Sequence, residues 1–265
     1  MNNNNFSVLP FYRSIDEQNH KKTYAFGEIA PLYAPTNKLL PFQIIRQHTL
    51  GIPVAYLHNV ETGIEERTYI PIQTIEFPEL NVDVLVYEAN STFDIPIAEG
   101  RYYLKIYDGV RFYYSDIMTC VNLTDGYTKI EWYDDENIIF DDGIIVYENV
   151  NYKNILYLCT EIGKPTYKFE EEGEERDGYF FAQKQLSEKT YRFTILAPEY
   201  QCDVMRLIRM ADHIKITDNY GREYNADTFL MTVNWQTQGD LASVECEFET
   251  NTIVKKIGKG YINHA

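Results

Sequence analysis

Catalysis needs a nucleophile, acid or base held against a partner, and metal binding needs several ligands at short spacing. The 265-residue chain offers the residue types without the spacing. It contains no Gly-x-Ser-x-Gly nucleophile elbow, phosphate-binding loop, dinucleotide fingerprint or His-Glu-x-x-His zinc helix. The five histidines are scattered. The tightest pair, His48 and His58, is ten residues apart across a proline-containing segment, so only an accident of fold would bring both to one metal. A glycosidase needs two carboxyl groups flanking a sugar bond, yet in a chain with 40 Asp and Glu such pairs arise without function. Asp134, Asp135, Asp141 and Asp142 lack the alternate-residue order of a calcium loop and read as a solvated acidic turn. No catalytic, cofactor or metal residue is assigned, and the expectation is a protein that is not an enzyme.

Three other groups suit recognition better than reaction. The aromatic clusters Tyr102-Tyr103, Tyr107, Phe112-Tyr113-Tyr114 and Trp132-Tyr133 fall on neighbouring strands. Alternate members, with Tyr103, Tyr113 and Trp132 as the candidates, would form a flat platform for a sugar ring or another protein. The competing reading is cross-strand packing inside a sandwich, which absorbs half of them. Glu245, Glu247 and Glu249 share one face of a strand and form an acidic row. The basic end, Lys255-Lys256-Ile257-Gly258-Lys259-Gly260-Tyr261, reads either as a solvated terminus or as a contact for an acidic neighbouring subunit.

Composition restricts the scaffold. With 45% hydrophobic residues the chain can bury a real core, and its 23 Tyr and 14 Phe favour pleated strands over helices. Against 24 Lys and Arg, the acidic residues give a net charge of −16. Such a surface repels phosphate backbones and argues against sequence-reading DNA binding, although an acidic wall beside DNA lets it slide. The start, Met1-Asn2-Asn3-Asn4-Asn5-Phe6, has neither the basic nor the apolar part of a secretory signal, and no apolar run reaches the length of a membrane span. The expectation is folding in the cytosol, away from membranes. Cys120, Cys159, Cys202 and Cys246 are far apart and are expected as free, mostly buried thiols.

The elements follow from period and turn residues. Pro31, Pro35, Pro41, Pro53, Pro71 and Pro78 cut the N-terminal third into short strands. Arg101 to Tyr107 and Val110 to Asp116 alternate around Asp108-Gly109, which predicts a two-residue type I′ hairpin. The second strand continues to Leu123, and Tyr127 to Tyr133 reads as the third strand of a meander. Glu170 to Asp177 reads as a solvated acidic loop. Tyr191, Phe193, Ile195 and Ala197 share a strand face. Pro198 follows in the first turn of one amphipathic helix, whose stripe is Tyr200, Val204, Leu207, Ile208 and Ala211. His213 to Thr217 is a strand, leading into a long hairpin. Its arms carry Phe229, Met231, Val233 and Trp235, then Ala242, Val244, Cys246 and Phe248, on the inner face. The fold class is mainly β. Two β-sandwich-like domains are expected, residues 1–145 and 146–265, the second holding the single helix.

Several segments carry a resemblance: Glu99 to Gly109, Ile130-Glu-Trp-Tyr133 with Phe140 to Gly143, Phe169 to Gly178, Tyr191 to Met210, and Val244 to Thr250. Over roughly residues 80–265 the chain resembles structural proteins of phages and prophages of gut Bacteroidetes. The resemblance leaves open a distal tail or hub protein, a baseplate component, or a ring between portal and tail. It implies a virion protein forming a cyclic homo-oligomer around the DNA channel, stacked between other tail or neck proteins, with a tail-tube-like C-terminal domain. Glu245, Glu247 and Glu249 would then line the lumen. The alternative reading is a glycan-binding or adhesion module using the exposed aromatics.

Overall fold

The computed structural model describes residues 7–14, 30–48, 51–67, 70, 72–88, 96–123, 126–140, 143–235 and 240–256. The fold is mainly β with one short α-helix among these residues.

In the N-terminal half the central strand is β8 (Gly100–Tyr107), with β4 (Val54–Asn59) and β5 (Glu65–Arg67) on one side. On its other side lie β9 (Phe112–Ser115), which β1 (Phe11–Tyr12) pairs with, and β10 (Met118–Val121), to which β2 (Leu32–Pro35) adds in parallel. The continuation of the hairpin's second strand is therefore present. It shifts register by one residue between Tyr114, opposite Lys105, and Met118, opposite Tyr102. At the shift the Ser115 hydroxyl accepts the Leu104 N–H at 2.8 Å, satisfying a donor that the ladder leaves over.

A smaller sheet is formed by β3 (Phe42–Gln47), β6 (Ile72–Phe77) and β7 (Val82–Tyr87), with β7 in the middle. As proline spacing predicts, these strands are short: Pro41 and Pro53 precede β3 and β4, and Pro78 opens a 3₁₀ turn at Pro78–Leu80.

The meander ends earlier than expected. β11 (Thr128–Tyr133) leaves it and lies between β14 (Asn154–Leu158) and β17 (His213–Thr217), and β18 (Glu223–Asn225) pairs on the far side of β17. Ile130 meets Leu156 and Ile216 across this sheet, and all three are buried. Burial at both flanks outweighs the local advantage of pairing with the preceding strand. Residue 145 closes the short hairpin of β12 (Ile138–Phe140) and β13 (Gly143–Ile145). β11 lies before that boundary and its two partners after it. The main buried cluster includes Phe42 and Leu104 together with Trp132, Phe193 and Phe248, so it too crosses residue 145.

The last sheet contains β15 (Thr166–Arg176), β16 (Tyr179–Pro198), β20 (Leu241–Lys256) and β19 (Thr228–Trp235), in that order. Tyr191, Phe193, Ile195 and Ala197 of β16 face the core together with Ala242, Val244, Cys246 and Phe248 of β20, as their period of two predicts. Along β19 the burial fades from Phe229, 1% exposed, to Trp235, 48% exposed. The turn expected after Trp235 falls mostly on residues 236–239, outside the described residues.

Pro198 ends β16 and caps α1 (Glu199–Met205), which is shorter than the apolar stripe suggests. A 3₁₀ turn at Ile208–Met210 carries Ile208 into the core, while Ala211 is already extended. The four cysteines are free; Cys120, Cys202 and Cys246 are buried and Cys159 is exposed.

Candidate assembly surface

The outward half of the last sheet is its least ordinary part. The acidic stretch expected as a loop is the strand β15, and Asp177-Gly178 joins it to β16 with both residues at positive φ, 51° and 81°. Arg176 and Tyr179 are directly paired, so this is a two-residue hairpin of the I′ kind. β15 has little β propensity of its own, and its partner compensates. The Lys184 ammonium meets Glu172 at 3.1 Å, Gln185 donates to Glu171 at 2.6 Å, and Lys168 faces Glu188 at 3.7 Å. A register shift after Glu172 twists the strand.

From residue 166 outward, β15, the first half of β16 and the end of β20 form a three-stranded arm. Residues 179–189 alone span about 35 Å at the usual rise. Among the described side chains, the arm fully buries none of its large apolar groups. Phe169, Ser187 and Ile253 stand opposite one another across the three strands. By alternation along β16, Ser187 is on the same side as Tyr191 and Phe193, so the core face of the sheet runs out into solvent. There Phe169 is 72% exposed, Ile253 65% and Tyr167 61%. These large side chains form an exposed apolar patch on one continuous face.

The acidic row stands on the opposite face of β20. Glu245 is exposed, between Thr194 and Thr232; Glu247 is ion-paired with Arg192; Glu249 accepts the Thr228 hydroxyl at 3.1 Å. The row is on the solvent side as expected, with two of its three carboxylates partnered.

The aromatic platform is corrected. Tyr113 and Trp132 point into the core, at 3% and 1% exposure, and cannot form an outer surface. The strand pleat puts their neighbours outside instead. Tyr133 stacks on His213 at 4.6 Å, and Phe112 stands beside Tyr107 at 4.9 Å with the Lys105 ammonium 4.8 Å above its ring. Tyr103 is half-buried on the outer side and lies 4.6 Å from His58. One residue of parity separates Trp132 from Tyr133, and the choice between them belongs to β14 and β17, not to local sequence.

The second Asp-Gly turn is also corrected. Asp108-Gly109 does not make a two-residue hairpin, because Tyr107 pairs with Phe112 and four residues, Asp108 to Arg111, form the loop. Asp108 is buried, and its carboxylate accepts the Val110 and Arg111 N–H groups at 2.8 and 2.7 Å. Its carbonyl accepts from Arg46 at 2.7 Å. That guanidinium also donates to the Gly51 carbonyl at 2.9 Å and to Asp83 at 3.1 Å, joining the small sheet to the large one. Arg46 and Asp83 are both buried. His48 meets the other Asp83 oxygen at 2.7 Å, and that bond holds its imidazole pKa above the ordinary value.

His48 and His58 are thus engaged separately. Of the four aspartates, Asp134 accepts the Asp212 N–H at 3.0 Å and Asp135 meets His213 at 2.8 Å, while residues 141–142 lie outside the described residues. Burial, with Asp212 nearby, raises the Asp134 pKa. No group of three metal-ligating side chains gathers among the described residues. The arm is hidden from sequence reasoning because a dense run of charge reads as a loop; the Asp-Gly pair at the end of the acidic run is the available signal. Comparison with protein families, curated proteins and solved structures finds no match for this chain.

Proposed function

We propose that the chain is a non-enzymatic structural protein of a bacteriophage tail, neck or baseplate, whose activity is to assemble into a homo-oligomeric ring around the DNA channel. The observation that carries the reading is the arm. A core face extended into solvent, with Phe169 and Ile253 at its centre, is incomplete in one copy and is completed by another. Joining arms into a closed ring also removes sheet edges that would otherwise aggregate. The net charge of −16 supports a channel wall that leaves DNA mobile, with Glu245, Glu247 and Glu249 as the lumen row. Neighbouring tail or neck proteins would stack above and below, and the site of action would be the virion.

Light scattering across a concentration series, followed by negative-stain imaging, tests this. Closed rings are expected, about 190 kDa for six copies of the 31.1 kDa chain. Open, unlimited filaments or an unvarying monomer would count against it.

A second reading, a glycan-binding or adhesion module, is favoured by the outward aromatics Tyr103, Tyr107 and Phe112. It predicts binding in a glycan screen that Phe112→Ala abolishes, with no dependence on the arm.

A further inference from the structure

Among the described residues the arm ends in two strand edges, of opposite charge, that pair with no further strand. On one side β15 pairs only with β16 among the described residues. It carries five glutamates, at positions 170, 171, 172, 174 and 175, against Lys168 and Arg176. On the other side, β19 ends its pairing with β20 at Thr228, opposite Glu249. Beyond that point Ile253, Val254, Lys255 and Lys256 pair with residues 184–187 of β16 and, among the described residues, with no strand on their far side. That edge has two lysines and no acid.

We propose that the acidic β15 edge of one copy pairs with the basic end of β20 of the next, so that the contact between copies is head-to-tail. This rests on the ring reading and names its junction. Charge selects this pairing: β15 against a second β15 would set five glutamates against five, and β20 against β20 would oppose lysines, both costly directly across strands. A single contact between two different edges leaves one edge of each kind open, so copies add until a rotation brings the last to the first and closes a ring, or they run on as a filament.

The strand directions follow as well. β15 and β20 are each antiparallel to β16 and therefore parallel to one another. Rotation about an axis along the strands preserves direction, so the junction is a parallel pair and each copy adds three arm strands to a shared wall. Phe169, Tyr167 and Ile253 then form a continuous apolar band on one side of that wall.

The test uses two variants of the full chain, Glu171→Lys/Glu172→Lys and Lys255→Glu/Lys256→Glu, with assembly followed by light scattering at low salt. Each alone is expected to weaken association roughly tenfold or more, because each sets like charges across every junction, and about 0.5 M salt should flatten the difference. An equimolar mixture is expected to assemble to within about threefold of wild type, since every mixed junction is again complementary. That rescue also shows that both variants are folded. If the glutamate reversal assembles as well as wild type or better and the lysine reversal is silent, the head-to-tail junction is wrong. If Phe169→Ser/Ile253→Ser disperses rings that both charge variants still form, the contact uses the apolar face instead, and the ring reading stands without this junction. A wild-type chain that is monomeric at every concentration overturns both.

Discussion

At Asp177-Gly178 both residues take positive φ and alone connect two strands, whereas at Asp108-Gly109 only the glycine does, at 99°, and the connection needs four residues. The dipeptide is the same and the strands on either side are antiparallel in both. The difference is burial. Asp177 is exposed, so its turn answers only to the twist of the two strands, which type I′ matches. Asp108 is buried, and its polar atoms must be satisfied before any turn geometry is chosen. Its carboxylate closes the loop and its carbonyl receives Arg46. Local signals therefore set what a turn can be at the surface, while tertiary partners set it in the interior.

The largest way to break this contrast is Arg46→Leu. It leaves the Asp83 carboxylate buried beside a half-exposed histidine and removes the donor from the Asp108 carbonyl, and a loss of about 4 kcal/mol in urea unfolding is expected. A loss below about 1 kcal/mol would mean that the interior turn does not depend on the clamp. Gly109→Ala comes next. Its added Cβ would lie 2.7 Å from the Gly51 Cα at an unfavourable φ, for an expected cost of about 3 kcal/mol. The matching change at the surface turn, Gly178→Ala, meets nothing within 4 Å and bears only the conformational cost, about 1 kcal/mol. Equal losses at the two glycines would mean that burial does not separate the two turns.

The smallest effect sharpens the comparison by pH. Asp83 raises the His48 pKa in the folded protein, so the bond contributes in full below the ordinary histidine value of about 6.5. The contribution falls away as pH rises through the raised folded value. His48→Gln should accordingly be less stable than wild type near pH 6 and indistinguishable from it at pH 9; a gap that is constant with pH would assign the histidine a packing role only.

Parts of the architecture were legible for a definite reason. Ala242, Val244, Cys246 and Phe248 alternate with Ser243, Glu245, Glu247 and Glu249, and a half-buried strand tolerates no other register. The same reasoning located Tyr191 to Ala197. It failed for β15, where all the regularity lies in the complement between glutamates and the lysine and glutamine of β16, invisible in either segment alone. It failed for β11, whose partners are far along the chain, and hence for the direction of Trp132. Arg46 and Asp83, thirty-seven residues apart, gave no sign of being a pair. The face of the candidate surface that carries charge was legible from alternation; the face that carries Phe169 and Ile253 was not, since each of its strands contributes only one or two of those side chains.

The uneven burial of the cysteines has a practical consequence. Burial pushes the Cys120 and Cys246 thiols up to about 12 and Cys202 to about 11, so at neutral pH they are protonated and shielded from electrophiles. Cys159 alone stands exposed. A maleimide dye would therefore attach once per chain without any engineering, and the number of photobleaching steps in a single particle would read out its copy number directly.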